Sequence, residues 1–268
     1  MLARLLAVLL LALLLVPTTA APPAAVTAHD AEQATAQAPA PAAAQTAPRL
    51  TPEEIIAALR RPENSTGNIA DGVEAATGSR GWMSTDMKPI ADKKIVGRAW
   101  TAVLRPVLKQ DDRTYPNYAL QVLDEAPAGS VLVYVLEGHA DIAGMGNLMA
   151  TTAHVRGLEA TIIDGAVRDV RELRQIGHQV FARRISPATS VGRLVSVSKQ
   201  TPVTCADILV TPGDYIVGDT DGVVVVPQAA ADKVVALLKD YDARETKMVD
   251  IIKREKSMLK ALEIYGRY

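Results

Sequence analysis

Apolar and polar positions alternate along this chain with two periods, and the change from one to the other marks its elements. In "LTPEEIIAALRR", Thr51 can cap a helix, Pro52 suits the first helical position and Glu54 completes a capping box ahead of Ile55, Ile56 and Leu59. "STGNIADGVEAATG" predicts a second short helix closed by Gly78, and "KIVGRAWTAVL" alternates and β-branches as a strand does. From Ser130 onward strand and helix alternate. "SVLVYVLEG" predicts a strand, "GNLMATTAHVRG" a helix ending at Gly157, "ATIIDGAV" a strand and "VRELRQIG" a helix ending at Gly177. The pattern is that of an α/β core. After it, "QVFARRI", "LVSVSK", "DILV", "DYIVGD" and "GVVVVP" are short strands separated by Pro-Gly, Gly-Asp and Asp-Gly turns, which predicts a compact β region. Toward the C-terminus Val234, Leu237, Leu238, Tyr241, Met248, Ile251, Ile252, Leu259 and Leu262 recur at three- and four-residue steps. They predict a long amphipathic helical segment packed on its own core or on a neighbouring subunit.

The N-terminus has neither period. Arg4 precedes an unbroken apolar run from Leu5 to Val16 and then "PTTAAPP", the pattern of a secretory signal over residues 1–20 with cleavage near Ala20. As a helix that run covers about 18 Å, short of the ~30 Å hydrocarbon layer. Residues 21–49 are nearly all Ala, Pro, Gln and Thr, too poor in bulky apolar groups to offset the entropy of ordering, and predict a flexible tether. Residues 50–268 then form the folded domain. The expected product is exported, periplasmic or secreted in a bacterium.

Composition narrows the chemistry. With 268 residues, 49% of them hydrophobic, the chain can bury a full core, while a formal net charge of −1 gives no basic face for nucleic acid. Cys205 is the single cysteine, which excludes an intrachain disulfide framework and a thiolate metal cluster; it is expected in the core. His29, His139, His154 and His178 are spaced unlike zinc ligands.

Two stretches carry candidate chemistry. In "RDVREL", Asp169 followed three residues later by Glu172 has the form of a capping box, so Asp169 has a purely structural reading as a helix cap. Arg168 has no such local use. It ends an apolar strand at the edge where α/β sheets collect ligands, and a guanidinium there can clamp a carboxylate while the neighbouring Asp169 holds a hard cation. The second stretch, "GHADIAGMGNLMATTAHVRG", is a glycine-rich loop entering a helix at about Gly146, whose free amides and positive dipole end suit an anion. It matches neither a Walker loop nor a dinucleotide fingerprint. His139 and Asp141 are better explained as polar turn residues than as metal ligands. Asp214, Asp219 and Asp221 sit among glycines and predict turn chemistry rather than a site.

Taken together, "GNLMATTAHVRGLEATIIDGAVRDVRELRQIGHQVFAR" and "ILVTPGDYIVGDTDGVVVVP" resemble the RraA-like family, which includes the class II 4-hydroxy-4-methyl-2-oxoglutarate aldolases. The likeness runs from about Ile55 to the C-terminus. Its most specific part is the glycine loop followed, twenty-two residues after Gly146, by the Arg-Asp pair. The resemblance implies a β/β/α fold like the swivelling phosphohistidine domain, as a single domain assembled into a homotrimer or hexamer with sites between subunits. It assigns Gly146, Asn147, Leu148, Met149 and Arg168 to substrate, and Asp169 to Mg²⁺ or Mn²⁺.

The resemblance further implies a divalent-metal-dependent pyruvate aldolase. The family's ribonuclease-regulator branch typically lacks the aspartate after the arginine, whereas "VRD" is present here. Many of the aldolases carry an acid where Asn147 stands, so this chain departs from them at a group that serves proton transfer. Cleavage beside the carbonyl of a 2-oxo acid leaves a pyruvate enolate; without a lysine placed for a Schiff base, a divalent ion at Asp169 is the expected electrophile. Oxaloacetate decarboxylation would pass through the same enolate. The alternative from another class is a non-catalytic binding or regulatory trimer, and Asn147 is the feature that favours it.

Overall fold

The structure, a computed structural model, describes residues 49–107, 114–138 and 141–266. The predicted signal, all but the last residue of the predicted tether, and His139 lie outside them.

Helix α1 (Pro52–Arg60) starts as its sequence dictates: Thr51 Oγ1 accepts from Glu54 N–H at 3.2 Å and Glu54 Oε2 accepts from Thr51 N–H at 2.8 Å. Helix α2 (Thr66–Thr77) ends at Gly78, whose φ of 73° is the left-handed cap that glycine adopts without a Cβ penalty. There follow β1 (Lys88–Pro89), β2 (Ile95–Pro106), α3 (Tyr118–Glu125), β3 (Val131–Leu136), β4 (Ala143–Met145) and α4 (Asn147–Val155). Next come β5 (Ala160–Val167), α5 (Val170–Ile176), β6 (Gln179–Ile185), β7 (Leu194–Lys199), β8 (Val203–Cys205) and β9 (Ile208–Val210). The chain closes with β10 (Tyr215–Gly218), β11 (Val223–Val226), α6 (Ala231–Glu255) and α7 (Met258–Tyr265).

The fold is α/β, with one main sheet in the order β1-β6-β5-β3-β2-β10-β11, where β4 also pairs with β5 and β7 with β2. Strands β2, β3, β5 and β6 run parallel. Both faces of β3 and nearly all of β5 are buried, which explains why these two read as continuous apolar runs rather than alternations. One face packs on α3, α4 and α5 through Leu132, Tyr134, Ile163 and Leu173, and the other on the β8–β9 hairpin through Val133, Ile162, Phe181 and Cys205. Helices α1, α2 and α6 cover β10 and β11.

Three features depart from the sequence reading. The late strands do not gather into one compact β region: β8 and β9 form a two-stranded sheet of their own, while β10 pairs with Ile95–Arg98 of β2 and β7 with Ala102–Pro106, so the long β2 carries both on one edge. Helix α3 was not expected; its eight residues bury only Ala119, Val122 and Leu123. The C-terminal segment is broken rather than continuous, because Lys256 adopts φ 50° and Ser257 caps α7 through Lys260 N–H. Among the described residues no helix is long and apolar enough to cross a membrane.

Candidate functional site

The parallel strands aim their C-terminal ends at one edge of the sheet, and there the glycine loop meets the Arg-Asp pair. Strand β4 is the loop itself. It runs parallel to the end of β5, with Arg168 N–H donating to Met145 O at 3.1 Å, so Gly146 is held directly against residues 168 and 169. Pairing of β5 with β6 shifts between Ile163 and Ala166, an irregularity at Asp164 and Gly165 that re-aims the end of the strand.

Asp169 takes the N-cap position of α5, yet its side chain makes no capping bond there. The capping-box expectation is therefore corrected. Its backbone lies in the left-handed region at φ 58°, ψ 37°, which turns the carboxylate away from its own helix. Oδ2 instead accepts from the N–H of Asn147, the first residue of α4, at 2.9 Å. The arrangement leaves Gly146 no room for a side chain: a Cβ there would lie 2.5 Å from Asp169 Oδ2 and 3.0 Å from Arg168 Nε. Since Gly146 has φ −137°, a value open to any residue, its constraint is this close approach. Arg168 Nε stands 3.7 Å from Asp169 Oδ2, and both side chains remain partly open to solvent.

A cavity of about 190 Å³ opens at this point, lined by Gly144, Gly146, Asn147, Leu148, Met149 and Arg168 on one side and by Thr189, Ser190 and Val191 on the other. The six residues singled out in the sequence, Gly146, Asn147, Leu148, Met149, Arg168 and Asp169, are thus neighbours; Asp169 lies beneath the loop instead of on the cavity wall. Gly146 brings no side chain to cap α4 and Asp169 takes only the Asn147 N–H, so the amides of Leu148 and Met149 are left as orphan donors in a first turn that shares the cavity wall with Arg168. The far wall was missed by sequence reading. The turn Thr189–Val191 is pinned to the loop by a bridge between Ala143 and Thr189 and by Ala143 N–H donating to Ala188 O at 2.8 Å. Nothing in "SPATSVGR" beyond its small polar residues signals that placement.

The remaining candidates separate from the site. Asp141 is exposed and faces Arg184 at 3.6 Å, while His139 lies outside the described residues. Asp214 accepts from Thr211 N–H and Gln228 N–H, and Asp219 from Asp221 N–H, as turn aspartates do. Cys205 is fully buried, and burial raises its thiol well above the usual range. Asp164, in the middle of β5, joins Arg183 Nη1 at 3.0 Å and Ala206 N–H at 2.7 Å, and Arg183 reaches Asp86 at 2.8 Å; this network ties strands to the β8–β9 hairpin. Among the described residues no three His, Cys, Asp or Glu side chains gather as a metal cluster.

Comparison with known proteins finds relatives of the chain and of its fold. A family model described as "RraA-like: Aldolase/RraA" matches residues 66–225. Protein DlpA of Legionella pneumophila is 30% identical over 172 residues, 64% of this chain but only 27% of that longer protein. The 4-hydroxy-4-methyl-2-oxoglutarate aldolase of Thermus thermophilus is 30% identical over 118 residues, 43% of this chain and 71% of that one. Among solved structures, Streptomyces coelicolor RraAS2, described as an unusual member of the RNase ES inhibitor RraA protein family, has a TM-score of 0.65 at 25% identity, covering 74% of this chain and 96% of that one. A Pseudomonas syringae protein shares the fold with a TM-score of 0.67 at 24% identity, over 78% of this chain and 96% of that one. Because the family model spans more than half of the chain, from the start of α2 into β11, the protein belongs to the RraA-like family.

Proposed function

We propose that this protein is a class II, divalent-metal-dependent aldolase that cleaves 4-hydroxy-4-methyl-2-oxoglutarate or a related 4-hydroxy-2-oxo acid to pyruvate. The observation that carries the reading is that Arg168 and the first turn of α4 line one small cavity, with the Asp169 carboxylate directly behind Gly146 and bonded to Asn147 N–H. The name of the Thermus thermophilus relative supports the reaction class.

Arg168 binds the substrate carboxylate, assisted by the α4 amides, and so fixes the 2-oxo group near Asp169. Asn147 N–H holds one oxygen of Asp169, leaving the other for a cation. A single carboxylate suits a hard ion that keeps most of its water, so Asp169 would hold Mg²⁺ or Mn²⁺. An ion held there would supply positive charge where an oxygen becomes negative as the carbon–carbon bond breaks. The turn Thr189–Val191 forms the remaining wall of the cavity. Oxaloacetate decarboxylation leaves the same enolate and is a second activity of this site.

We also place the active form in a homotrimer or hexamer. Leu148 and Val191, at the rim of the cavity, are each 78% exposed, as is Val155 on the same helix as Leu148. Large apolar groups clustered in solvent fit a face that a neighbouring subunit covers.

The test is a pyruvate-release assay on purified protein with Mg²⁺ or Mn²⁺, using 4-hydroxy-4-methyl-2-oxoglutarate and oxaloacetate. Release is expected, and chelator, Asp169→Ala or Arg168→Ala should abolish it. Absence of release from both substrates favours the second reading, a binding or regulatory trimer, for which Asn147 in place of an acid is the specific observation.

A further inference from the structure

A second cavity, of about 590 Å³, lies at the starts of β2 and β3, the edge of the sheet opposite the Arg-Asp pair. Arg98 and Trp100 stand two residues apart on β2, so they share one face of the strand with about 6–7 Å between their Cα atoms, and both line this space. Helix α1 supplies Glu53 and Ile56, and the loop entering β3 supplies Pro127 and Ser130. Three of these polar groups lack the partner their chemistry calls for. Arg98 donates only to neutral oxygens, Gly213 O at 3.2 Å and Gln228 Oε1 at 2.9 Å, and forms no ion pair with a described residue. Arg60, the other guanidinium of the cavity, already has Glu159 at 3.2 Å. Glu53, in the first turn of α1, makes neither an ion pair nor a side-chain hydrogen bond with a described residue. Ser130 is only 5% exposed, yet its hydroxyl has no hydrogen-bond partner among the described residues. A buried hydroxyl left so is accounted for by a bound ligand or water.

We infer that this cavity binds a zwitterionic α-amino acid with an aromatic side chain. Its carboxylate meets Arg98, its ammonium meets Glu53, and its ring lies on Trp100, Ile56 and Pro127. Arg98 and Glu53 are not within ion-pair distance of each other, so a ligand carrying one charge of each sign neutralises both. A plain anion would answer Arg98 and be repelled by Glu53, and a plain amine would meet the reverse. The Ser130 hydroxyl, able to donate or accept, adds a hydrogen bond to the head group. The volume falls in the range of about 300–1,000 Å³ usual for small-molecule sites. The inference stands apart from the proposed function, since none of these residues lines the Arg168 cavity.

The experiment is calorimetric titration of the purified protein with L-phenylalanine, with 3-phenylpropionate, which lacks the ammonium, and with 2-phenylethylamine, which lacks the carboxylate. L-phenylalanine is expected to bind about tenfold or more tighter than either. Glu53→Gln, at an exposed position, should bring L-phenylalanine down to the level of 3-phenylpropionate without weakening the latter. Arg98→Gln should remove its advantage over 2-phenylethylamine. The chain has two tryptophans, so in Trp82→Phe the remaining emission is that of Trp100, and L-phenylalanine should shift it. Absence of binding, equal affinity for 3-phenylpropionate, or binding unchanged in Glu53→Gln would overturn the inference.

Discussion

At position 169 an aspartate occupies left-handed backbone that glycine would fill at less cost, and its φ of 58° is what lets its carboxylate serve α4 instead of α5. Asparagine tolerates the same backbone and keeps an oxygen for Asn147 N–H. Asp169→Asn should therefore change stability by about 1 kcal/mol or less, while pyruvate release with Mg²⁺ falls by ~10²-fold or more because the charge that would hold the cation is gone. Melting curves beside the release assay check this; equal activity in the variant would leave Asp169 as a cap alone. Gly146 makes the complementary case. A Cβ 2.5 Å from Asp169 Oδ2 must displace that carboxylate. Gly146→Ala should thus abolish release, with a stability cost of about 1–3 kcal/mol from overpacking, and the same two measurements separate the effects.

At the level of elements, β5 and β6 are joined at their starts by a polar contact in an otherwise apolar layer: Thr161 Oγ1 and His178 Nε2 share a 3.0 Å hydrogen bond, both residues buried. Burial, with smaller effects from His154 and Lys93, pushes the His178 imidazole down to about 4. The unfolded chain takes up this proton near the ordinary pH of about 6.5, and the folded one only near 4. The stability it contributes is complete above that upper value and falls as pH drops toward the lower, a loss of roughly 3 kcal/mol. His178→Gln should flatten the melting temperature across this window relative to wild type; an unchanged acid limb would refute the assignment. Elements such as this pair show what sequence could and could not reveal. Helices α1, α2 and α5 were legible because Thr51, Gly78 and Gly177 act through neighbours three or four residues away. The partnership of Asp169 with Asn147 spans twenty-two residues, and that of Asp164 with Ala206 spans forty-two; neither leaves a local period. The site residues could be named before their geometry was known because family likeness preserves residue types, whereas the wall at Thr189–Val191 is carried by backbone pairing that many small polar turns could supply.

For the molecule as a whole, the outer face of α4 poses a problem that one copy of the described chain does not solve. Leu148 and Val155 are seven residues apart, two turns on the same stripe, and Val191 stands across the cavity from the first; each is 78% exposed, although α4 buries only Ala150 and Ala153 beneath it. Covering the stripe with a second subunit would remove apolar surface from water and close the mouth of the cavity in the same step. Activity and assembly should then be lost together. Val155 lines no part of the cavity and contributes nothing to the buried core, so Val155→Asp should alter the stability of the separate subunit by only about 0.5 kcal/mol. In native mass spectrometry the wild type should appear as a trimer or hexamer, and Val155→Asp should shift it to monomer with pyruvate release falling in proportion. A variant that keeps its mass, or a monomer with full activity, would show that this apolar stripe is not the face that completes the site.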